Sequence, residues 1–259
     1  MQVEHLLKEN RLEKIVKDIF VLENEDPSKQ IILPFYADGF PGIMYQKTAE
    51  SAVLLSSKKK LSDFFLYGQT IKPIEIAVSG AYRLIVFQLY PYASRLLFGV
   101  NPQKLNDECY DLQMVEGANA GMTIERLKKA ENVNDEINSI IEFIKKLYEK
   151  PVKASESKVE LAIDLIIREN GKITVKALTE QLFMTERTLQ RQFIEYIGIP
   201  PKKFASIVQF QTSISQISAE AVSRLTDIVY ENGYTDQSHF IRSFKKYAGK
   251  KPTDFKKSG

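Results

Sequence analysis

The sequence predicts an α+β protein in which a β-rich N-terminal domain is followed by an all-α C-terminal domain. Over roughly the first 115 residues, short runs of β-branched and aromatic residues alternate with clusters of Pro, Gly, Asp and Lys, as is typical of strands and turns. From residue 134 onward, apolar residues recur every three or four positions, which is the spacing of amphipathic helices. The length of 259 residues favours two domains, each large enough to bury its own core.

Five runs in the N-terminal part have the composition of strands, and turn-forming residues bound each of them. A short helix is expected over 92–98, where Gly99 provides the stop. The predicted strands are Ile15–Leu22, Ile31–Tyr36, Ala52–Leu55, Ile71–Val78 and Tyr82–Tyr90.

The aromatic side chains of this part either form the core or line a ligand cavity. The core is the commoner role for them in a small β domain, so we single out none of them as a ligand contact. The tyrosines concerned are Tyr36, Tyr45, Tyr67, Tyr82, Tyr90 and Tyr92.

Cys109 is the only cysteine, which excludes an intrachain disulfide and a thiolate metal cluster.

The spacing of apolar residues changes twice in the middle of the chain. Apolar residues from Ile137 to Leu147 lie on one face of a predicted helix, which either packs on its own domain, as we favour, or self-associates through its heptad-like spacing. The polar stretch 149–157 contains a proline and lacks apolar periodicity, so it is the predicted linker. We therefore expect a β-rich sensor or regulatory domain over 1–120, connecting helices and linker over 121–156, and a second domain over 157–259.

The C-terminal domain contains the same arrangement twice. Leu178–Leu182 is followed by Arg187–Phe193, and Leu225–Val229 is followed by Ser238–Phe244. Each block has the apolar spacing of two short helices joined by a turn, which predicts two helix-turn-helix units. Pro200 and Pro201 open a long helix that joins the two units and runs to about Ile217. The second helices of the two units are expected over 185–197, with Thr185 as its cap, and over 237–248.

These blocks closely resemble the DNA-binding domain of the AraC/XylS family of transcription regulators. The resemblance spans about residues 157–257 and includes Gly233-Tyr234, Phe240–Lys245, Gly249 and Pro252–Phe255. It implies a transcription regulator that binds double-stranded DNA, with RNA polymerase as a further candidate partner. More loosely, residues 66–78 and 84–100 resemble a sensor-like domain of some family members, which implies a small-molecule effector or homodimer contacts there.

The two second helices carry residue types that read bases in the major groove. Because Leu189 and Phe193 face inward on 185–197, the polar residues near its start are left on the outer face, and the same spacing holds around Phe240 and Phe244 on 237–248. Arg pairs with guanine and Gln with adenine. The candidate base contacts are Arg187, Gln190, Arg191, Gln237, Ser238, His239 and Arg242, beside Glu186 at the helix start.

Two of these assignments have plainer alternatives. Arg187 and Arg191 also fit solvated helix arginines, and His239 fits a structural or capping role nearly as well as a DNA contact.

Phosphate contacts are expected from lysines, in line with the charge of −2 over residues 1–156 and +5 over residues 157–259. The candidate lysines are Lys202, Lys203, Lys245, Lys246 and Lys250.

The sequence departs from the family along the long helix. Ser206, Gln209 and Thr212 stand where family members often carry arginine, and this predicts a weaker grip on phosphate there. Val229 replaces a more usual alanine, and Lys251 stands where Ser or Thr is commoner.

Other classes of protein fit less well. No phosphate-binding loop, metalloprotease motif, nucleophile elbow or histidine-centred triad is present, so we expect no enzyme, no catalytic residue, no metal and no cofactor. The alternatives are a helical protein-interaction module that has lost DNA binding, and a β-domain enzyme fused to a DNA-binding domain. The longest apolar runs are too short to span a membrane and no signal peptide is evident, which predicts a cytoplasmic protein.

Overall fold

The structure is a computed structural model, which describes residues 3–148, 157–219 and 225–258. Contacts divide it into two units. The first lies within Met1–Pro34, Phe40–Gln69 and Glu75–Ala154, and the second within Ser155–Gly259 together with two short segments, Phe35–Gly39 and Thr70–Ile74. Residues 149–156 of the predicted linker lie outside the described residues, and Ser157 begins the first helix after them.

Nine strands form two sheets over residues 16–111, and the larger of the two is antiparallel throughout. The larger sheet has the order β1-β8-β3-β6-β9, and the smaller has the order β2-β7-β4-β5. These strands are β1 (Val16–Asn24), β2 (Gln30–Phe35), β3 (Gly42–Thr48), β4 (Val53–Leu54), β5 (Lys59–Lys60), β6 (Phe64–Tyr67), β7 (Ile74–Ser79), β8 (Tyr82–Leu89) and β9 (Cys109–Asp111).

The sequence predicted β1, β2, β4, β7 and β8 with shifted ends, and it missed the others. Strand β7 begins only at Ile74 because Pro73, which has no amide hydrogen, precedes it. The central strand β3 was missed because its first five residues are all buried, so the alternation of apolar and polar residues that identifies a half-buried strand is absent. Ile43 pairs with Phe87 on β8 and with Leu66 on β6, which covers the strand from both sides.

Among the residues of the first unit that the structure describes, five helices are present, and the last of them packs against the larger sheet. The Phe143 ring lies 5.2 Å from that of Phe64 and 6.4 Å from that of Phe98, and Glu136 pairs with Arg83 at 3.0 Å. The buried face of this helix therefore packs within its own unit, as favoured above. The helices are α1 (Val3–Glu9), α2 (Ala93–Phe98), α3 (Pro102–Leu105), α4 (Gly121–Lys129) and α5 (Val133–Tyr148).

The described residues of Ser155–Gly259 are helical, so the predicted order of a β-rich region followed by a helical region is confirmed. Helix α6 ends at a glycine turn, where Gly171 has φ +74° and lies directly against the backbone of α9 at Ala205 and Gln209. The helices are α6 (Ser157–Arg168), α7 (Val175–Leu182), α8 (Glu186–Tyr196), α9 (Pro201–Ser218), α10 (Leu225–Glu231), α11 (Gln237–Ala248) and α12 (Pro252–Ser258).

Candidate nucleic-acid interface

The first helix-turn-helix unit consists of α7 and α8. Both helices begin with a capping threonine: the Thr174 hydroxyl accepts a hydrogen bond from the amide of Ala177 at 3.1 Å, and the Thr185 hydroxyl accepts one from the amide of Thr188 at 3.2 Å. Such a cap satisfies an amide that the first turn of a helix leaves without a backbone partner. The expected capping role of Thr185 is therefore confirmed, and it fixes where the second helix of the unit begins.

Helix α8 has one buried face and one exposed face. Leu189 and Phe193 are completely buried, and the Phe193 ring lies 6.5 Å from that of Phe204 on α9. Because residues three and four apart share a face, the polar residues between these two point away from the core. The exposed residues on the first two turns are Glu186, Arg187, Gln190 and Arg191.

The second helix-turn-helix unit consists of α10 and α11 and repeats this arrangement. The Asp236 carboxylate caps α11 by accepting a hydrogen bond from the amide of His239 at 2.7 Å, and Gly249 ends the helix with φ +76°. Phe240 and Phe244 are buried, with 1% and 0% of their surface exposed. The exposed residues are Gln237, Ser238, His239 and Arg242.

His239 has the exposure that a DNA contact requires and also a packing contact of the kind that a structural role requires. It is exposed, and its ring lies 5.6 Å from the ring of Tyr234 in an edge-to-face arrangement. The contact orients the imidazole, and the exposed edge of the imidazole stays accessible.

Helix α9 packs against the buried faces of α8 and α11, the second helices of the two helix-turn-helix units. Its 18 residues correspond to a length of about 27 Å at 1.5 Å per residue. The Phe210 ring lies 5.2 Å from that of Phe244, while Phe204 packs towards Phe193. One rigid element thus contacts the core phenylalanines behind both α8 and α11.

The polar residues of α9 that replace the family's arginines bond within the protein. Gln209 donates to the Asn232 carbonyl at 2.6 Å, and the hydroxyls of Ser206 and Thr212 donate to carbonyls one turn earlier on the helix. Asn232, 2% exposed, in turn donates to the carbonyl of Ile228 at 2.9 Å. Gln209 therefore ties α9 to the end of α10, a structural role that an arginine contacting phosphate would not fill.

The candidate phosphate contacts differ in their surroundings. Lys202, Lys245 and Lys246 are exposed, whereas Lys203 and Lys250 are half-buried. The Lys250 ammonium lies 5.2 Å from the centre of the Phe255 ring, and that of Lys246 lies 4.9 Å from the centre of the Tyr247 ring. These ring contacts hold the lysine stems against the surface and leave the charge able to act on a nearby anion.

Two residues of this region had not been singled out from the sequence. Asp236 caps α11, and the signal that identifies it is an aspartate directly before the first helical residue. Phe183 stands in the turn between α7 and α8, and 90% of its surface is exposed. Nothing in the apolar pattern indicates that exposure, because a phenylalanine beside Leu182 has the composition of a core residue.

The first unit contains an open cavity of about 490 Å³ beside the strands β1, β3 and β8. Charged side chains make up half of the residues that line it, and they include Glu23, Lys47, Arg83 and Glu131. Of the six tyrosines considered above, Tyr82 contributes to this cavity, whereas Tyr45 and Tyr92 are buried.

Two buried groups in the first unit have shifted acidities. Burial raises the pKa of the Tyr45 hydroxyl to about 12 and that of the Cys109 thiol to about 12. Both groups are therefore neutral at ordinary pH. Within the described ranges, no set of three or more His, Cys, Asp or Glu side chains is arranged to hold a metal ion, and no helix is long and apolar enough to cross a membrane.

Two capped helices with exposed polar faces, backed by one connecting helix, define a DNA-binding protein of the helix-turn-helix class. The family described as "Helix-turn-helix domain" matches residues 178–258, and one described as a domain of unknown function (DUF6597) matches residues 5–111. The chain therefore has an AraC-type helix-turn-helix domain at its C-terminus, and the expected DNA-binding transcription regulator with a β-rich N-terminal domain is confirmed.

Among solved structures, the chain is similar to ToxT from Vibrio cholerae. A 1.65 Å structure of ToxT has 14% sequence identity and a TM-score of 0.50, over 92% of this chain and 97% of that one. ToxT bound to (E)-4-(8-methylnaphthalen-1-yl)but-3-enoic acid has 13% identity and a TM-score of 0.50, over the same shares of the two chains. At this identity the likeness concerns the fold. No curated protein matches the sequence.

Proposed function

We propose that this chain recognises two adjacent major-groove segments of double-stranded DNA, one with α8 and the other with α11. The observation that carries the proposal is that every candidate base-contacting side chain is exposed on the first two turns of a capped helix whose phenylalanines lie in the core. A major groove about 12 Å wide admits such a helix. The start of a recognition helix is the part that contacts base edges.

Each side chain has a distinct role in this proposal. Arg187, Arg191 and Arg242 pair with guanine through two hydrogen bonds, and Gln190 and Gln237 pair with adenine. Ser238 and His239 make single hydrogen bonds at neighbouring bases. The five lysines, from Lys202 to Lys250, contact phosphate and supply affinity without reading sequence.

The remaining parts of the chain complete the regulator. We assign residues 1–120 to a sensor domain, 121–156 to connecting helices and linker, and 157–259 to DNA binding, with no catalytic step and a cytoplasmic location. An effector in the N-terminal domain is supported by the fold similarity to ToxT, one of whose structures holds an aryl-substituted butenoic acid. The buried apolar face of α5 favours a packing role for that helix over self-association.

The test is the selection of duplexes by the full chain from a random DNA library. Two short conserved blocks about 10 base pairs apart are expected, one for each recognition helix. Substituting Arg187→Ala or Arg242→Ala removes the preference at one position, each in a different block, at a cost of about 1 to 3 kcal/mol. Arg168→Ala is the matched control, because Arg168 is an exposed arginine at the end of α6, outside both helix-turn-helix units.

Two results would contradict the proposal. If either arginine variant loses affinity equally for all sequences, the residue does not read a base. If the full chain is not retained on random duplex DNA in a salt-dependent manner, the chain is instead an interaction module that has lost DNA binding.

A further inference from the structure

The turn of the first helix-turn-helix unit presents a phenylalanine to solvent. Phe183 is 90% exposed, the largest exposed fraction of any large apolar side chain in the described parts of the chain. An isolated exposed apolar residue on a helix needs no explanation. Phe183 is not on a helix, however, and its backbone conformation makes its presence unusual.

Phe183 has a left-handed backbone, with φ 50° and ψ 56°. In this region a bulky side chain is strained, whereas glycine is not. Glycines occupy the corresponding position where α2 and α11 end, at Gly99 and Gly249. The other described non-glycine residues with positive φ are polar: Arg11, Lys58, Asp107, Asn119 and Asn170.

Neither packing nor local preference accounts for a phenylalanine here. The ring buries almost none of its surface, so the folded protein gains little from it, and glycine would relieve the backbone strain. An exposed, strained residue that does not stabilise the fold points to a role outside the fold. Tyr230, which is 79% exposed, lies within helix α10 and lacks this second feature.

Phe183 lies close to the start of the recognition helix α8, and this position indicates which part of the DNA its ring faces when α8 is in the major groove. It lies two residues before Thr185, the cap of α8, so its Cα is within about 8 Å of the start of the recognition helix. The apolar group that B-DNA presents in the major groove is the C5-methyl of thymine, and phenylalanine is among the side chains that contact it.

We propose that Phe183 contacts the methyl group of a thymine beside the bases read by α8. It acts as a specificity-determining residue that works by apolar contact rather than by hydrogen bonding. This inference rests on the proposed function, because it requires α8 to enter the major groove.

The test uses full-length protein and a duplex recovered in the selection described above. Phe183→Ala removes the ring and keeps the backbone strain, whereas Phe183→Gly removes both. Both variants are expected to bind the duplex about tenfold more weakly than the unsubstituted chain. Phe183→Gly is also expected to raise the melting temperature by about 3 to 6 °C, which shows that the lost affinity does not come from unfolding.

Replacing single thymines of that duplex by deoxyuridine identifies the methyl group. At one thymine, the replacement is expected to weaken binding by the unsubstituted chain by a similar factor and to leave binding by Phe183→Ala unchanged. The matched control is Asn170→Gly, which changes another exposed residue with positive φ at the end of a helix and is expected to bind as the unsubstituted chain does.

The inference is overturned if Phe183→Ala binds as tightly as the unsubstituted chain, or if it binds more weakly but responds to every deoxyuridine as the unsubstituted chain does. If Arg187→Ala and Arg242→Ala still lose their base preferences, only the role of Phe183 is rejected. If the selection recovers no preferred sequence, the proposed function is rejected together with this inference.

Discussion

Removing the ring of Phe244 tests whether the core behind the second recognition helix is packed as described. Phe244 is completely buried, and its ring lies 5.2 Å from that of Phe210, 5.7 Å from that of Phe240 and 5.6 Å from that of Phe255. Phe244→Ala deletes the ring and leaves a cavity among three other rings, which costs about 3 to 5 kcal/mol. A domain of this size has a free energy of unfolding of about 5 to 15 kcal/mol, so a large part of its stability is lost.

The assay is urea unfolding of the full chain, followed by circular dichroism at 222 nm. Phe183→Ala is the matched control, because it deletes the same atoms from a side chain that is 90% exposed and should change the free energy of unfolding by less than about 0.5 kcal/mol. If Phe244→Ala costs less than about 1 kcal/mol, or no more than Phe183→Ala, the packing argument for α11 is wrong.

Three further predictions follow from charge and burial. Lys245→Ala should reduce the slope of log affinity against log salt by about 0.9, whereas Lys146→Ala, an exposed lysine of α5, should leave it unchanged; equal slopes for both would contradict the phosphate contact. The Cys109 thiol should react with a thiol reagent such as Ellman's reagent only after urea unfolds the chain, because it is buried and its pKa is raised to about 12; rapid reaction of the folded chain would contradict this. Because folding raises the pKa of Tyr45 and of Cys109 to about 12 from ordinary values of 10.0 and 9.0, the folded chain holds these protons more tightly, and this stability is present below pH 9.0 and is lost as the pH rises towards 12. The urea midpoint should therefore fall between pH 9 and pH 11, and a flat profile would show that the two groups do not contribute.

The recognition helices were predictable because their own sequences contain the signal. Leu189 and Phe193, like Phe240 and Phe244, are four residues apart and therefore share a face, which left the polar residues on the other side. All four of these apolar residues are buried in the structure, as the spacing predicted. The bases and phosphates that these residues contact stay predictions.

The parts that were missed depend on contacts distant in sequence. Strand β3 lies between β6 and β8 and is buried on both faces, so its side chains show no alternation. Glu136 stands in the first turn of an amphipathic helix, where a carboxylate is normally solvated, yet it is fully buried. Its partners, Arg83 at 3.0 Å and Lys47 at 3.6 Å, come from strands more than fifty residues earlier, and no local pattern identifies them.

Gly171 restricts how this protein can diverge. A Cβ atom there would overlap the carbonyl oxygen of Ala205 and lie 2.6 Å from the amide nitrogen of Gln209, and both are backbone atoms that cannot rotate away. Any larger residue would have to push the end of α6 off α9. In a library of single substitutions sorted for DNA-binding activity, glycine should therefore persist at this position while the exposed positions around it vary freely.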